Sequence, residues 1–281
     1  MSFRRKRKAI DSFSLGLMIT ASAAVGAALI GIIAYILIQS AGRFKLSAIF
    51  GPVKESLLPM IISTAWTVLV SLAIALPVGI MTAVYLREYV PKSGLSRFLG
   101  LAIDTLAGIP SIIYGLFGLL LFCRVLNLGQ SIIAGGLTLS IMILPVIIRT
   151  TEEALKTVPD SFREGSLSLG ATKFQTIVHA ILPPSLPGIL TAAILAVGRV
   201  VGESAPVLFT VGIARNLPKT IFEPGRTLTI HLYYLTKEAV APDDFANAFT
   251  AAAVLIILIL IINTIVKLIG KGFGYTGENI D

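Results

Sequence analysis

The sequence predicts an all-α integral membrane protein with six transmembrane helices and both termini on the cytoplasmic side. Three observations carry that prediction. The composition is 55% hydrophobic and only 14% charged over 281 residues, with a mean hydropathy of +0.89, far from the average of soluble domains. Six runs are free or nearly free of charge, at residues 12–38, 57–86, 98–123, 131–148, 185–211 and 245–266, where a helix needs roughly 20 apolar residues to cross hydrocarbon. Lys and Arg are also unevenly divided between the intervening segments. With the N-terminus inside, 14 fall on cytoplasmic segments and 8 on external ones, the sense of the positive-inside rule. The net charge of +8 reflects this bias and does not imply nucleic-acid binding.

The first run follows the basic cluster Arg4, Arg5, Lys6, Arg7 and Lys8, and Ala21-Ser22-Ala23 resembles a signal-peptide cleavage site. Apolar sequence continues well past that site, so an uncleaved first membrane helix is expected. In the second run Pro77 and Gly79 are expected to interrupt the helix. In the third, Pro110 and Ser111 with Gly115 and Gly118 are candidates for a break lining a polar path, since irregular backbone at membrane depth is tolerated where it lines a cavity. Simple close packing of helices is the competing reading of these small residues. Cys123 is the only cysteine, so no disulfide framework exists, and His179 and His231 have no cysteine, histidine or carboxylate cluster nearby to make a metal site.

The segment 149–184 is written as structured cytoplasmic loop. Thr150 with Glu153 forms one helix start, ending before Pro159. Ser161 with Glu164 has the spacing of a capping box, in which each side chain satisfies the other residue's amide, and Gly170 is placed to end that helix in the left-handed conformation. Thr172 with Gln175 repeats the pattern before Pro183 and Pro184. Short helix, glycine turn and second helix make a surface suited to a soluble partner, although an ordered connection without a partner would carry the same caps.

The fifth run holds the chain's most expensive feature. Arg199 and Glu203 stand four residues apart between apolar stretches, interleaved with Gly198 and Gly202. On a continuous helix they share a face. A span over 186–211 would put Arg199 roughly 20 Å from one end and roughly 18 Å from the other at 1.5 Å per residue, near mid-membrane. A charge there costs about 2.5–3.5 kcal/mol even on the lenient insertion scale. A pair that merely neutralises itself, with the glycines allowing a close helix contact, is the bland explanation. Apolar replacements would usually be no less stable than such a pair, so function is the better one: the guanidinium fork suits an oxyanion. Glu203 would keep Arg199 paired when the anion is absent and would prevent binding too tight for release.

Together "EGSLSLGATKFQTIVHAILP" (residues 164–183), "DTLAGIPSIIYGLFG" (104–118) and "GRVVGESAPVLFT" (198–210) resemble the PstA-type phosphate permeases of the ABC importers. The first stretch is similar to the EAA loop of that superfamily at Glu164, Gly170, Leu182 and Pro183, and departs from it with Gly165 and Ser166 for two alanines and Ala180 for an isoleucine. The resemblance implies a type I ABC importer permease fold in the inner membrane of a prokaryote. It implies that the loop, with Arg163, Glu164, Gly170, Leu182 and Pro183, docks on a cytoplasmic ATPase, Arg163 itself being more simply a solvated charge. It places Arg199 and Glu203 in the translocation path, with Ser204 beside them and Ser111 in the third run. The partners implied are a PstC-type second permease, two copies of the ATPase and an external phosphate-binding protein. No G-x-x-x-x-G-K-[ST] loop occurs, "GKGFG" at 270–274 having Lys misplaced, so ATP and Mg²⁺ are expected on the partner ATPase, and no cofactor or enzymatic activity on this chain. Permeation of another oxyanion such as sulfate, molybdate or phosphonate is the nearest alternative. An ion-coupled secondary transporter or a membrane scaffold is a more distant one.

Overall fold

A computed structural model describes residues 2–41, 47–51, 56–90, 94–239 and 242–272, and all regular structure among them is helical. The long helices are α1 (Ser2–Ala41), α3 (Leu58–Val84), α6 (Ile132–Thr157), α9 (Leu182–Gly202) and α12 (Pro242–Gly272). Between them lie α2 (Ser47–Phe50), α4 (Gly94–Ala107), α5 (Ser111–Gly118), α7 (Asp160–Ser168), α8 (Lys173–Thr176), α10 (Ala205–Thr210) and α11 (Leu228–Glu238). Wider π-helical turns extend three of them at Tyr85–Tyr89, Leu119–Val125 and Ile177–Ile181. Among the described residues five helices are long and apolar enough to cross a membrane, and a sixth crossing is made if the bent pair α4 and α5 counts as one. Of the charges used to orient the chain, Arg43, Lys45, Lys54 and Lys92 lie outside the described residues, as does the end of the 270–274 glycine cluster.

The core forms around α6, the most enclosed helix. Leu139, Met142, Ile143 and Ile147 meet Val68 and Leu72 of α3, Val197, Val200 and Val201 of α9, Val207 of α10 and Ile230 of α11. Close approach is possible because small residues stand at the crossings. A Cβ on Gly188 would collide with Ala154 Cβ and lie 3.2 Å from its Cα, so α9 and α6 touch nearly backbone to backbone there. The buried face of α3 also carries hydroxyls that bond to their own helix: Thr64 to Met60 O, Thr67 to Ser63 O and Ser71 to Thr67 O, each at 2.7 Å. Thr64, Thr67 and Ser71 thereby enter the core with their hydroxyls satisfied, whereas Ser63 Oγ on the same face is buried without a partner.

Three expectations need correction. Pro77 and Gly79 do not interrupt the second span, since α3 is continuous through both. Gly79 instead seats Ile147, whose Cγ2 would stand 2.6 Å from an added Cβ. The residues 150–157 start no new helix, Thr150 lying inside α6, which runs unbroken to Thr157. The fifth run is not a single helix, and the third breaks where the sequence offers a break, beside Pro110 and Ser111. The chain turns through 94° between α4 and α5 at Gly108, Ile109 and Pro110, and α9 ends at Gly202. Pro206 explains the second stop, because it has no N–H to give the Gly202 carbonyl and its ring would strike that carbonyl in a continuing helix. α1 lies on the outside, mainly exposed, and touches α12, with Tyr35 edge-on to Phe249 at 5.6 Å between ring centres.

The loop between α10 and α11 closes the end of the core remote from the α7 and α8 loop. Ser131 N–H donates to Thr210 O at 2.9 Å, Ile132 N–H to Glu223 O at 3.1 Å and Ile133 N–H to Ile221 O at 2.8 Å. The first amides of α6, which have no intrahelical acceptor, are thus satisfied by loop carbonyls.

Gly188→Val is expected to destabilise the purified chain by about 1–3 kcal/mol, the usual cost of overpacking. Gly198→Ala, at a position with nothing within 4 Å, is expected to be neutral. Thermal denaturation in detergent compares them.

Candidate functional site: a double helix break and a braced helical loop

Arg199 lies on the last turn of α9, and Glu203 stands just beyond it in extended conformation, with φ −75° and ψ 135°. The two therefore do not share a helix face, as a continuous span would have required. They still meet: Arg199 Nε is 3.8 Å from Glu203 Oε1, with the side chains 35% and 18% exposed. That is ion-pair range but too long for a hydrogen bond, so the guanidinium fork is held loosely. Depth follows from packing. The Gly188–Ala154 contact, continued along antiparallel α9 and α6, sets Arg199 level with Ile143. That level is about 17 Å along α6 from Ile132 and about 9 Å from Arg149 at 1.5 Å per residue.

The two breaks coincide. An added Cβ on Gly115 would meet Pro206 Cα at 2.9 Å, and one on Gly118 would meet Thr210 Cγ2 at 2.9 Å, so α5 and α10 run side by side in the same direction. Carried back one turn, this register puts Ser111, the first residue of α5, level with Gly202 and Glu203. Ser204, exposed, opens α10. α5 starts from Pro110 without a side-chain cap, and its N-terminus presents the positive end of the helix dipole. Tyr114, buried in the core, fixes the bend by donating to Leu106 O at 2.7 Å. Gly198 and Gly202 mediate no contact among the described residues: nothing lies within 4 Å of the Cβ position at either. With Thr191 and Leu195 they form an exposed stripe along α9.

The loop adopts the expected helix, turn, helix form, with different details. α7 begins at Asp160 after Pro159 and has no side-chain cap, so the capping box at Ser161 and Glu164 does not form. Gly170 takes φ +84°, a conformation that side-chain-bearing residues rarely adopt, and turns the chain into α8. There the expected box is present: Thr172 N–H donates to Gln175 Oε1 at 2.8 Å and Gln175 N–H to Thr172 Oγ1 at 3.3 Å. From Lys173 the helix runs through Leu182 and Pro183 to Gly202 without interruption, so loop and span are one rod. Glu164 is exposed, and so are Leu169 at 90% and Phe174 at 68%.

Arg163 is not the solvated charge expected of it. Its side chain is 15% exposed and pairs with Glu88, itself 8% exposed, at 2.8 Å. It also donates to Val158 O at 2.9 Å, Leu155 O at 3.1 Å and Asp160 Oδ1 at 3.0 Å. The hydrogen bond it donates to Glu88 raises the guanidinium's already high pKa further. Arg163 thus braces α7 against both the end of α6 and the π turn that continues α3. Sequence reading missed Glu88, although a carboxylate in the segment after an apolar run, opposite several loop cations, was a visible signal. It also missed the brace on α4, where Arg149 donates to Asp104 Oδ1 at 2.8 Å, Gly100 O at 2.8 Å and Glu152 Oε2 at 2.7 Å.

A helical membrane chain with paired breaks around an Arg–Glu pair and a braced helical loop at one end has the architecture of an ABC importer permease subunit. A chain of the MetNI methionine ABC transporter in inward-facing form superposes with a TM-score of 0.60 at 24% identity, over 77% of this chain and 94% of that one. A chain of a bacterial ABC transporter importing the acidic polysaccharide alginate does so at 0.58 and 15%, over 92% and 98%. The chain belongs to the binding-protein-dependent transport system inner membrane component family, whose model matches residues 75–274. Relatives include the probable ABC transporter permease protein YqgI of Bacillus subtilis, 33% identical over 94% of this chain and 96% of its own. The phosphate transport system permease protein PstA 1 of Mycobacterium tuberculosis is 40% identical over 69% of this chain and 64% of its own.

Removing Glu88 leaves the shielded Arg163 guanidinium with only the exposed Asp160 as counter-charge, where complete loss of a buried partner costs about 3–5 kcal/mol. Glu88→Leu and Arg163→Leu are each expected to lower stability by several kcal/mol, and the double variant by clearly less than their sum, in a thermal-melt cycle on the purified protein. His231, at the opposite end of the chain's core, gives a pH signature. Burial first, then the charges of Arg226 and Arg215, push its pKa from the ordinary 6.5 to about 4. The unfolded chain therefore takes up the His231 proton more readily than the folded one, so this stability is present above about pH 6.5 and lost as pH falls toward about 4. His231→Gln is expected to flatten that part of the Tm-against-pH curve.

Proposed function

We propose that this chain is one half of an ATP-driven importer that carries inorganic phosphate across the cytoplasmic membrane by alternating access. The observation that carries the reading is the loosely held Arg199–Glu203 pair, 3.8 Å apart, at the level where two helices break. Phosphate must shed water to cross, and the guanidinium supplies two parallel donors suited to its oxygens. The uncapped N-terminus of α5 adds a fixed positive potential. Ser111 and Ser204 offer hydroxyls at the same level, and Glu203 competes with the anion for Arg199 and accepts from its P–OH. Release then requires only that Glu203 recapture the arginine. The PstA relatives, named as phosphate transport permeases, support phosphate as the anion.

Work is done by a partner. Two copies of an ATPase, holding ATP and Mg²⁺, sit beneath the α7 and α8 loop, where exposed Glu164 and Leu169 face them. Gly170, Leu182 and Pro183 set the direction in which the rod leaves the loop, and Arg163 ties the loop to α3. A second permease of PstC type packs on the exposed stripe of α9, where glycines let another helix approach closely; a PstC from Mesorhizobium japonicum is itself 30% identical over 77% of this chain. An external binding protein delivers phosphate to the far side.

Reconstituted complexes test this through ATP-dependent uptake of labelled phosphate. Arg199→Met is expected to assemble normally and to lower uptake at least a hundredfold; unchanged uptake sinks the pathway assignment. Uptake of sulfate or molybdate in place of phosphate by the unmodified complex shifts the substrate and leaves the pathway standing. Glu164→Ala is expected to weaken ATPase binding to the membrane complex, measured by co-purification, and intact binding reduces Glu164 to an ordinary loop residue.

A further inference from the structure

A second basic cluster lies at the end of the core remote from the coupling loop. Arg226 and His231 are each 7% exposed. Arg226 Nε donates to Ile213 O at 3.0 Å, and its guanidinium lies 4.7 Å from the centre of the Tyr234 ring. Arg226 Nη1 and His231 Nδ1 are both buried and have no hydrogen-bond partner. Among the described residues no carboxylate is within ion-pair distance of Arg226; Glu238 reaches it only through its field, while exposed Arg215 adds like charge. His231 is held neutral by burial and by both arginines, so a single ring N–H is available and can sit on Nδ1. The first turn of α11 adds the positive end of its dipole, its Leu228 amide already taken by Thr64 Oγ1 at 2.9 Å.

A buried guanidinium N–H without an acceptor is costly; Arg226 Nη1 can only donate, and the neutral His231 ring supplies a second donor when its proton is on Nδ1. The complement is a small multi-oxygen anion, not a cation or a neutral sugar. The location fits a path as well. Thr229 Oγ1 donates to Val201 O at 2.6 Å, so α11 rests on the last turn of α9, two residues beyond Arg199.

We propose that Arg226 and His231 form an outer oxyanion site, where phosphate pauses after entering from the external side and before it reaches Arg199. This rests on the importer reading above. Two weak sites in series let an anion enter and leave faster than one deep site does.

The test uses the complete complex with ATP and an ATPase partner bearing a hydrolysis-blocking substitution, in the absence of binding protein, and measures retained [33P]phosphate. An Arg199→Met background removes the inner site from the count. Binding is expected to persist in that background, to fall at least tenfold on adding Arg226→Gln and about threefold on adding His231→Gln. If Arg226→Gln fails to assemble, His231→Gln, similar in size and neutral like the native ring, decides the same measurement. Complete loss of phosphate binding in Arg199→Met alone overturns the proposal, as does unchanged binding in the variants. Retained phosphate binding by the variants, with weakened attachment of the binding protein in a separate co-purification, also overturns it, assigning the cluster to a partner's carboxylate. Should the unmodified complex transport sulfate and not phosphate, the substrate reading fails separately, and labelled sulfate replaces phosphate in the same comparison.

Discussion

The missing N–H of Pro206 is the constraint on which the centre of this molecule depends. Without it α9 cannot continue past Gly202, and a helix that stops inside hydrocarbon must find its backbone groups other company. The chain meets that demand by setting one break beside another. α5 starts about one turn ahead of α10 and the two then run together, α6 and α3 stand behind them, and Tyr114 holds the bend ahead of α5 with its own hydroxyl. The polar level so created contains the Arg199–Glu203 pair, two helix N-termini and two serines. Seen this way the charged pair is one member of a layer of polar groups, and α6 is the wall that makes the layer tolerable.

How legible this was in the sequence divides along the range of the forces involved. Gly170 in a left-handed turn and the Thr172–Gln175 box depend on residues within a few positions of each other, and their spacing announces them. The apolar runs announce the helices for the same reason. The break after Gly202 was also local and could have been found, since Pro206 stands four residues on, but an apolar run of the right length concealed it. Pro77 illustrates the reverse. Its helix survives because Ile147 and its neighbours pack over Gly79, and the support comes from elements 70 residues away. Arg163 and Glu88, and Arg149 and Asp104, are likewise partners across long separations. No pattern within a loop distinguishes a cation that will be buried against such a partner from one left in water.

The two arginine braces at this end of the core differ in strength for a reason visible in their exposure. Arg149 and Asp104 are 37% and 62% exposed, so water competes for both and their ion pair contributes little by itself. Arg149 earns its position mainly by satisfying the Gly100 carbonyl and holding Glu152, which is largely enclosed. Arg163 and Glu88 are shielded from water, and each would be a liability without the other. The first brace tolerates adjustment of α4, whereas the second fixes α7.

That fixity has a mechanical consequence. The part of the loop that faces outward, from Glu164 to Leu169, and the part that faces inward, at Arg163, lie on the same short helix. A flexible loop would absorb a displacement applied to its outer surface. Here such a displacement would pass in two directions at once, through Glu88 into α3 and through the Gly170 turn into the unbroken rod that ends at Gly202. The loop behaves as the short arm of a crank, and its two long arms belong to different walls of the core.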